Sequence, residues 1–403
     1  MTRPNTLDGA ICAPHIFFIM TTIQDLIKLD VLNDCTLLCT KQSRWKETTQ
    51  RYIANMLINN IRLQDEVLAE KYHVQPTIDF EINERGRLRK IEAPVVRDRI
   101  LQKSLTKYVL LPNVYKYLIY DNYASLKDRG TTFARKRFEV LLRKYIYHNG
   151  IDGYILLIDI RKYFENIDHD ILKQRMNQRL SNESEEIKNL VNYIIDISSH
   201  SNKGVNLGSE SPQIFAIDYL TPMDNYVKIV KGIKYYGRYM DDAFVICKTK
   251  TELLHLLEGI TQILNSLRLK LNEKKTHIVK LTHVFTFLQV KYNILPTGKI
   301  LKRMSHKKVV RERRRLKAFR RLVDKGEMTA EEAINCYLSW RGSESKNHNA
   351  CYNTIHEMDM LFKALFPEKI EHVNLKRSDV VKEINKDIEK EDIINCLTFN
   401  NNR

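Results

Sequence analysis

The stretch Tyr235-Tyr236-Gly237-Arg238-Tyr239-Met240-Asp241-Asp242-Ala243-Phe244-Val245-Ile246 decides the fold. Apolar and aromatic residues flank two adjacent carboxylates on both sides. Two short β-runs joined by two residues predict a hairpin. Aspartate tolerates the left-handed backbone that a two-residue turn demands, although Asn-Gly suits it better. Adjacent carboxylates at a hairpin tip repel each other, and a divalent cation there would relieve the repulsion.

A second carboxylate lies upstream. Gly153-Tyr154-Ile155-Leu156-Leu157-Ile158 is a continuous apolar run, which predicts a strand buried on both faces, and it ends in Asp159. A buried strand delivering one aspartate, beside an Asp-Asp hairpin, is the arrangement that holds two Mg²⁺ ions. Such ions take oxygen ligands, keep few protein carboxylates and fill their shells with substrate phosphates. A pair of them can activate a hydroxyl and stabilise a leaving pyrophosphate.

Further motifs follow in order: Arg87-Leu88-Arg89-Lys90, Arg97-Asp98-Arg99, Asp159 to Phe164, Gly204 to Gln213, Tyr239-Met240-Asp241-Asp242, Asn272-Glu273-Lys274-Lys275-Thr276 and Phe287-Leu288-Gln289. From about Arg85 to about Phe366 the ordered set resembles reverse transcriptases of the prokaryotic group that includes group II intron, diversity-generating and phage-defence enzymes. The resemblance implies an α+β right-hand polymerase with fingers, a ferredoxin-like antiparallel palm and a helical thumb. It implies an N-terminal extension at 1–45, fingers at 46–150, palm at 151–300 with inserted helices at about 175–200, a basic thumb at 301–367 and a tail at 368–403.

The same resemblance assigns roles. Asp159, Asp241 and Asp242 are implied as metal-binding and catalytic, with the Ile160 carbonyl completing one shell, for two Mg²⁺ ions or Mn²⁺ in their place. Lys275 is the implied general acid, with Lys274 as its rival. Phe164 stands at the position of a steric gate against the ribose 2′-hydroxyl. Arg87 and Arg89 are implied at the triphosphate, where guanidinium forks suit phosphate oxygens. Gly208 and Gln213 fall in the loop beneath the nucleotide, with Leu207 and Pro212 departing from the common pattern. Phe287 and Leu288 match the primer grip, where Gln289 replaces the usual glycine. Arg97 and Arg99 are implied near template. Arg129 is a further candidate contact with nucleic acid.

The chain of 403 residues carries 66 basic against 49 acidic residues, a net charge of +17, which attracts polyanions. Ten basic residues crowd Lys307 to Lys325, where Leu316, Phe319 and Leu322 give helical spacing. Arg313, Arg314, Arg320 and Arg321 are thus candidate phosphate contacts. The seven cysteines form no Cys-x-x-Cys pair, which argues against structural zinc and fits reduced thiols in a bacterial cytoplasm. Ala10 to Met20 is too short and polar-interrupted for a membrane span. Implied partners are an RNA template, in particular a dedicated non-coding RNA, the cDNA product and dNTPs, without a membrane. Anti-phage defence is the role read for such a compact enzyme. Diversity generation, untemplated or protein-primed synthesis, and a non-enzymatic RNA-binding maturase are the alternatives.

Overall fold

The computed structural model describes residues 22–84, 87–199, 201–206 and 208–367. The Ala10–Met20 stretch, Leu207, the 368–403 tail and the side chains of Arg87 and Arg89 lie outside the described residues. Nine strands are present among those described: β1 (Ile78–Glu84), β2 (Arg87–Ala93), β3 (Tyr154–Ile158), β4 (Tyr236–Tyr239), β5 (Asp242–Cys247), β6 (His277–Lys280), β7 (Phe285–Phe287), β8 (Val290–Ile294) and β9 (Ile300–Arg303). The rest is mainly helical, and every strand pairing between them is antiparallel.

The residues cluster into two compact units, each built from separate stretches of chain. The first holds the described residues up to Lys127 together with Ile160–Ile233 and Glu258–Asn272. Its only sheet among the described residues is the β1–β2 hairpin, in register from Ile78↔Ala93 to Glu84↔Arg87. The helical spacing between Trp45 and Tyr72 is met by two helices, Glu47–Ala54 and Met56–Leu68, parted where Asn55 takes φ −118° and ψ 32°. A further helix, Leu29–Thr40, buries Leu32, Cys35 and Thr36.

The second unit holds Asp128–Asp159, Lys234–Leu257 and the described residues from Glu273 onward. Its four-stranded sheet has the order β4-β5-β3-β6. With β3 first in sequence, that is the ferredoxin-like order, in which the first and third strands are central. Ile155, Leu156, Leu157 and Ile158 are all buried, as a strand covered on both faces requires. The helix Thr131–Asn149 lays Phe138 against Phe244, Phe287 and Tyr292, with ring centroids 4.7 to 4.9 Å apart. Gly153 is obligatory before β3, because a Cβ there would lie 2.2 Å from the Tyr145 hydroxyl oxygen. A second sheet, β7-β8-β9, follows.

Three helices close the unit: His306–Asp324, Ala330–Asn347 and Tyr352–Leu365. Leu316, Tyr337, Met358, Phe362 and Phe366 form their core, with Tyr337 stacked on Phe362 at 4.5 Å. Arg341 is buried in this bundle and grips Asp359 through two hydrogen bonds of 2.8 and 2.9 Å. Together, the ferredoxin-like sheet and the helical bundle make the unit α+β. Among the described residues no helix is long and apolar enough to cross a membrane.

Candidate active site

Asp159 directly follows β3, whose register with β5 ends at Ile158 opposite Ala243. One further step along both strands sets Asp159 across from Asp242. Both line a cavity of about 250 Å³ in the second unit, with Lys274, Lys275, His277 and Leu288 around them. β4 and β5 are joined by Met240 and Asp241 alone, since Tyr239 pairs with Asp242. The left-handed backbone falls on Met240, at φ 53°, rather than on an aspartate as the turn chemistry suggested. Positive φ at the first central residue alone is the type II′ pattern, so the aspartates keep ordinary backbone angles.

The electrostatics of the cavity follow from crowding like charges. The partly buried Asp242 carboxyl is pushed up to about 7, first by loss of water and then by the charges of Asp241 and Asp159. Lys275 works against that shift. Its Nζ donates to Asp159 Oδ2 at 2.7 Å, and this hydrogen bond raises the lysine above its ordinary pKa. The ammonium therefore stays protonated, a positive charge set beside these carboxylates. Thr276 ties down the same aspartate: its Oγ1 accepts from the Asp159 N–H at 3.2 Å and donates to the Asp159 carbonyl at 3.3 Å. Thr276, quoted only as the end of its motif, and His277, two residues past Lys275, were given no role from the sequence.

The donor set fits Mg²⁺. It consists of hard carboxylate oxygens whose mutual repulsion already shows in Asp242. Among the described residues no three His, Cys, Asp or Glu side chains converge to hold a metal unaided.

Other sequence-derived candidates belong to the first unit. Ile160 is buried and bridged to Leu271. Tyr163, not Phe164, supplies the core ring here: it is 2% exposed and its hydroxyl donates to the Ala216 carbonyl, while Phe164 is only partly buried. Gly208 is required by the chain itself, since a Cβ would lie 2.2 Å from the Glu92 carbonyl oxygen. Asn206 Nδ2 donates to Glu92 Oε2 at 2.7 Å and anchors the same loop to β2. Gln213 accepts from the Ser125 hydroxyl at 3.0 Å, and it shares a cavity of about 200 Å³ with Arg99 and Gly208. Arg97 is largely engaged within the protein, bonding Glu66, Asp98 and the His73 carbonyl and lying over the Tyr72 ring.

The basic helix His306–Asp324 sorts its arginines. Arg313 pairs with Glu357 at 2.8 Å, Arg315 with Glu312 at 2.8 Å, and Arg320 with Asp324. Arg314 and Arg321 are exposed and make no ion pair among the described residues. Lys307 and Arg311 stand on the same helical face at spacings of four, three and seven residues, an exposed basic stripe. Arg129 lies over the Phe133 ring at 5.7 Å.

No curated protein sequence matches the chain. Among solved structures, telomerase from Candida albicans in complex with a TWJ fragment of telomeric RNA is similar at 11% identity and a TM-score of 0.46, over 75% of this chain and 65% of that one. Apo telomerase from Candida tropicalis, truncated from its C-terminal domain, is similar at 14% identity and a TM-score of 0.44, over 62% of this chain and 60% of that one. The chain thus spans less than two thirds of the length of either. Residues 80–292, more than half of the chain, match the family model described as reverse transcriptase (RNA-dependent DNA polymerase). With that match running through β3, β4, β5 and the Met240-Asp241 turn, the chain belongs to the reverse transcriptase family.

Proposed function

We propose that this chain copies RNA into DNA, joining dNTPs to a primer 3′-hydroxyl by two-metal nucleotidyl transfer. The observation that carries the reading is the single cavity gathering Asp159, Asp242 and the Lys275 ammonium, with Asp241 on the adjoining turn. Asp159 and Asp241 would hold Mg²⁺, with Asp242 as an additional carboxylate. When bound, two such ions supply positive charge to the attacking hydroxyl and to the departing pyrophosphate. Lys275 would hand its proton to the leaving group. Phe164 excludes a 2′-hydroxyl, and Arg87 and Arg89 bind the triphosphate. Phe287 and Leu288 seat the primer, while the basic stripe of His306–Asp324 follows the duplex backbone. The resemblance of the ordered motifs supports a prokaryotic enzyme; a cytoplasmic location, a dedicated non-coding RNA as template and defence against phage complete the proposal.

Replacing Asp241 and Asp242 together by alanine removes the turn carboxylate and the one that opens β5. Incorporation of dNTPs on a primed RNA should fall on the order of a thousandfold, equivalent to several kcal/mol of lost charge stabilisation. Circular dichroism should be unchanged. Undiminished synthesis by the double variant would refute the assignment. Sequencing the nucleic acid that co-purifies with the protein separates templated from untemplated synthesis and identifies the template.

A further inference from the structure

Two turns border the cavity, and both hold non-glycine residues in the left-handed region. Met240-Asp241 joins β4 to β5, and Leu288-Gln289 joins β7 to β8, where Phe287 pairs with Val290. Met240 sits at φ 53°, Leu288 at 44° and Gln289 at 68°. Two-residue hairpins favour glycine at such positions: the first central residue of type II′, the second of type I′. Neither turn has one. Side chains bearing a Cβ are disfavoured in this region and persist only where their surroundings impose it.

In each turn an arginine binds the carbonyl of the first central residue. Arg238 Nη1 donates to the Met240 carbonyl at 3.0 Å. Arg135 donates to the Leu288 carbonyl twice, from Nε at 3.1 Å and from Nη2 at 2.8 Å. Arg238 is fully buried and pairs across the strands with Ala243, so it projects to the face of the sheet opposite Asp242. Arg135 reaches its turn from the helix Thr131–Asn149. A charged donor on a carbonyl is among the stronger hydrogen bonds and fixes the orientation of the peptide that carries it.

We infer that Arg238 and Arg135 are positioning residues, each pinning a strained turn at the cavity: Arg238 aims the peptide that carries Asp241, and Arg135 sets the turn that seats the primer. The inference rests on the proposed function for what the turns present, and on the hydrogen bonds alone for how they are held. If each arginine acts by enforcing a left-handed turn, a glycine in that turn makes it partly dispensable. Met240→Gly should therefore offset the loss of Arg238, and Gln289→Gly the loss of Arg135, with no exchange between the pairs.

The test is two double-mutant cycles, read by thermal unfolding and by steady-state incorporation of dTTP on poly(rA) primed with oligo(dT). Arg238→Gln should lower kcat by about tenfold to a hundredfold with the primer–template KM little changed. Arg135→Gln should raise the primer–template KM by about tenfold with kcat largely kept. Each deficit, and each fall in Tm, should shrink when glycine enters the same turn and persist when it enters the other. Equal deficits with and without glycine, or recovery from either glycine alike, would overturn the inference. Should Arg238→Gln not fold, the Arg135 cycle decides, because that guanidinium is only partly buried. Should the protein copy no template, the Tm cycles still decide the pinning, and the failure belongs to the proposed function.

Discussion

Phe164 shows how one side chain divides two readings. The adjacent Tyr163 fills the core, so the ring of Phe164 is left partly exposed at the start of a short 3-10 turn. As a gate it should discriminate by bulk: Phe164→Ala is expected to lower the ratio of kcat/KM for dNTP over rNTP by roughly tenfold to a hundredfold. An unchanged ratio would make Phe164 a packing residue. Asp159 and Asp242 were legible because an apolar run and a doubled carboxylate survive any register. Less local facts were not. Arg97 looks like a phosphate contact until Glu66, 31 residues away, is seen to take its guanidinium. Gly208 looks like room for a ligand until the Glu92 carbonyl is found in that space. The left-handed residue of the Asp-Asp turn could not be named either, because type I′ and type II′ hairpins have the same length and place the strain differently.

β3 and β5 were legible as apolar runs of strand length, one ending in a carboxylate and the other following a doubled one. Leu29–Thr40 was missed because its apolar residues are diluted by Asn, Asp and Thr and its N-cap, Lys28, offers no side-chain hydrogen bond. On the basic helix the sequence shows charge without showing its use. Arg314 and Arg321 face outward unpaired among the described residues, whereas Arg313 and Arg320 are held in ion pairs. Arg314→Gln and Arg321→Gln should each flatten the slope of log affinity against log salt by about 0.7 to 0.9 on an RNA–DNA hybrid. Arg313→Gln should change it less. Equal slopes for all three variants and the parent would make this face merely solvated.

At the scale of the whole molecule, each compact unit is assembled from three stretches of chain, and the polypeptide passes between them five times. Residues 1–127 alone would lose Lys103–Glu210 at 2.6 Å, Thr106–Ser211 at 2.8 Å and the bond from the Val74 N–H to the Tyr193 hydroxyl at 3.1 Å. That fragment should melt without cooperativity and bind a hydrophobic dye, while the full chain melts sharply. A cooperative transition in the isolated fragment would disprove this. The second unit depends equally on remote partners, since β3 pairs with β5 and β6, both far downstream. Pairing across such separations is intrinsically slow to form. It also limits what inheritance can do with the chain. A recombination event that treated either unit as a cassette would strip strands or helices from both. Change can therefore accumulate at exposed loops, while the two units can only be passed on together.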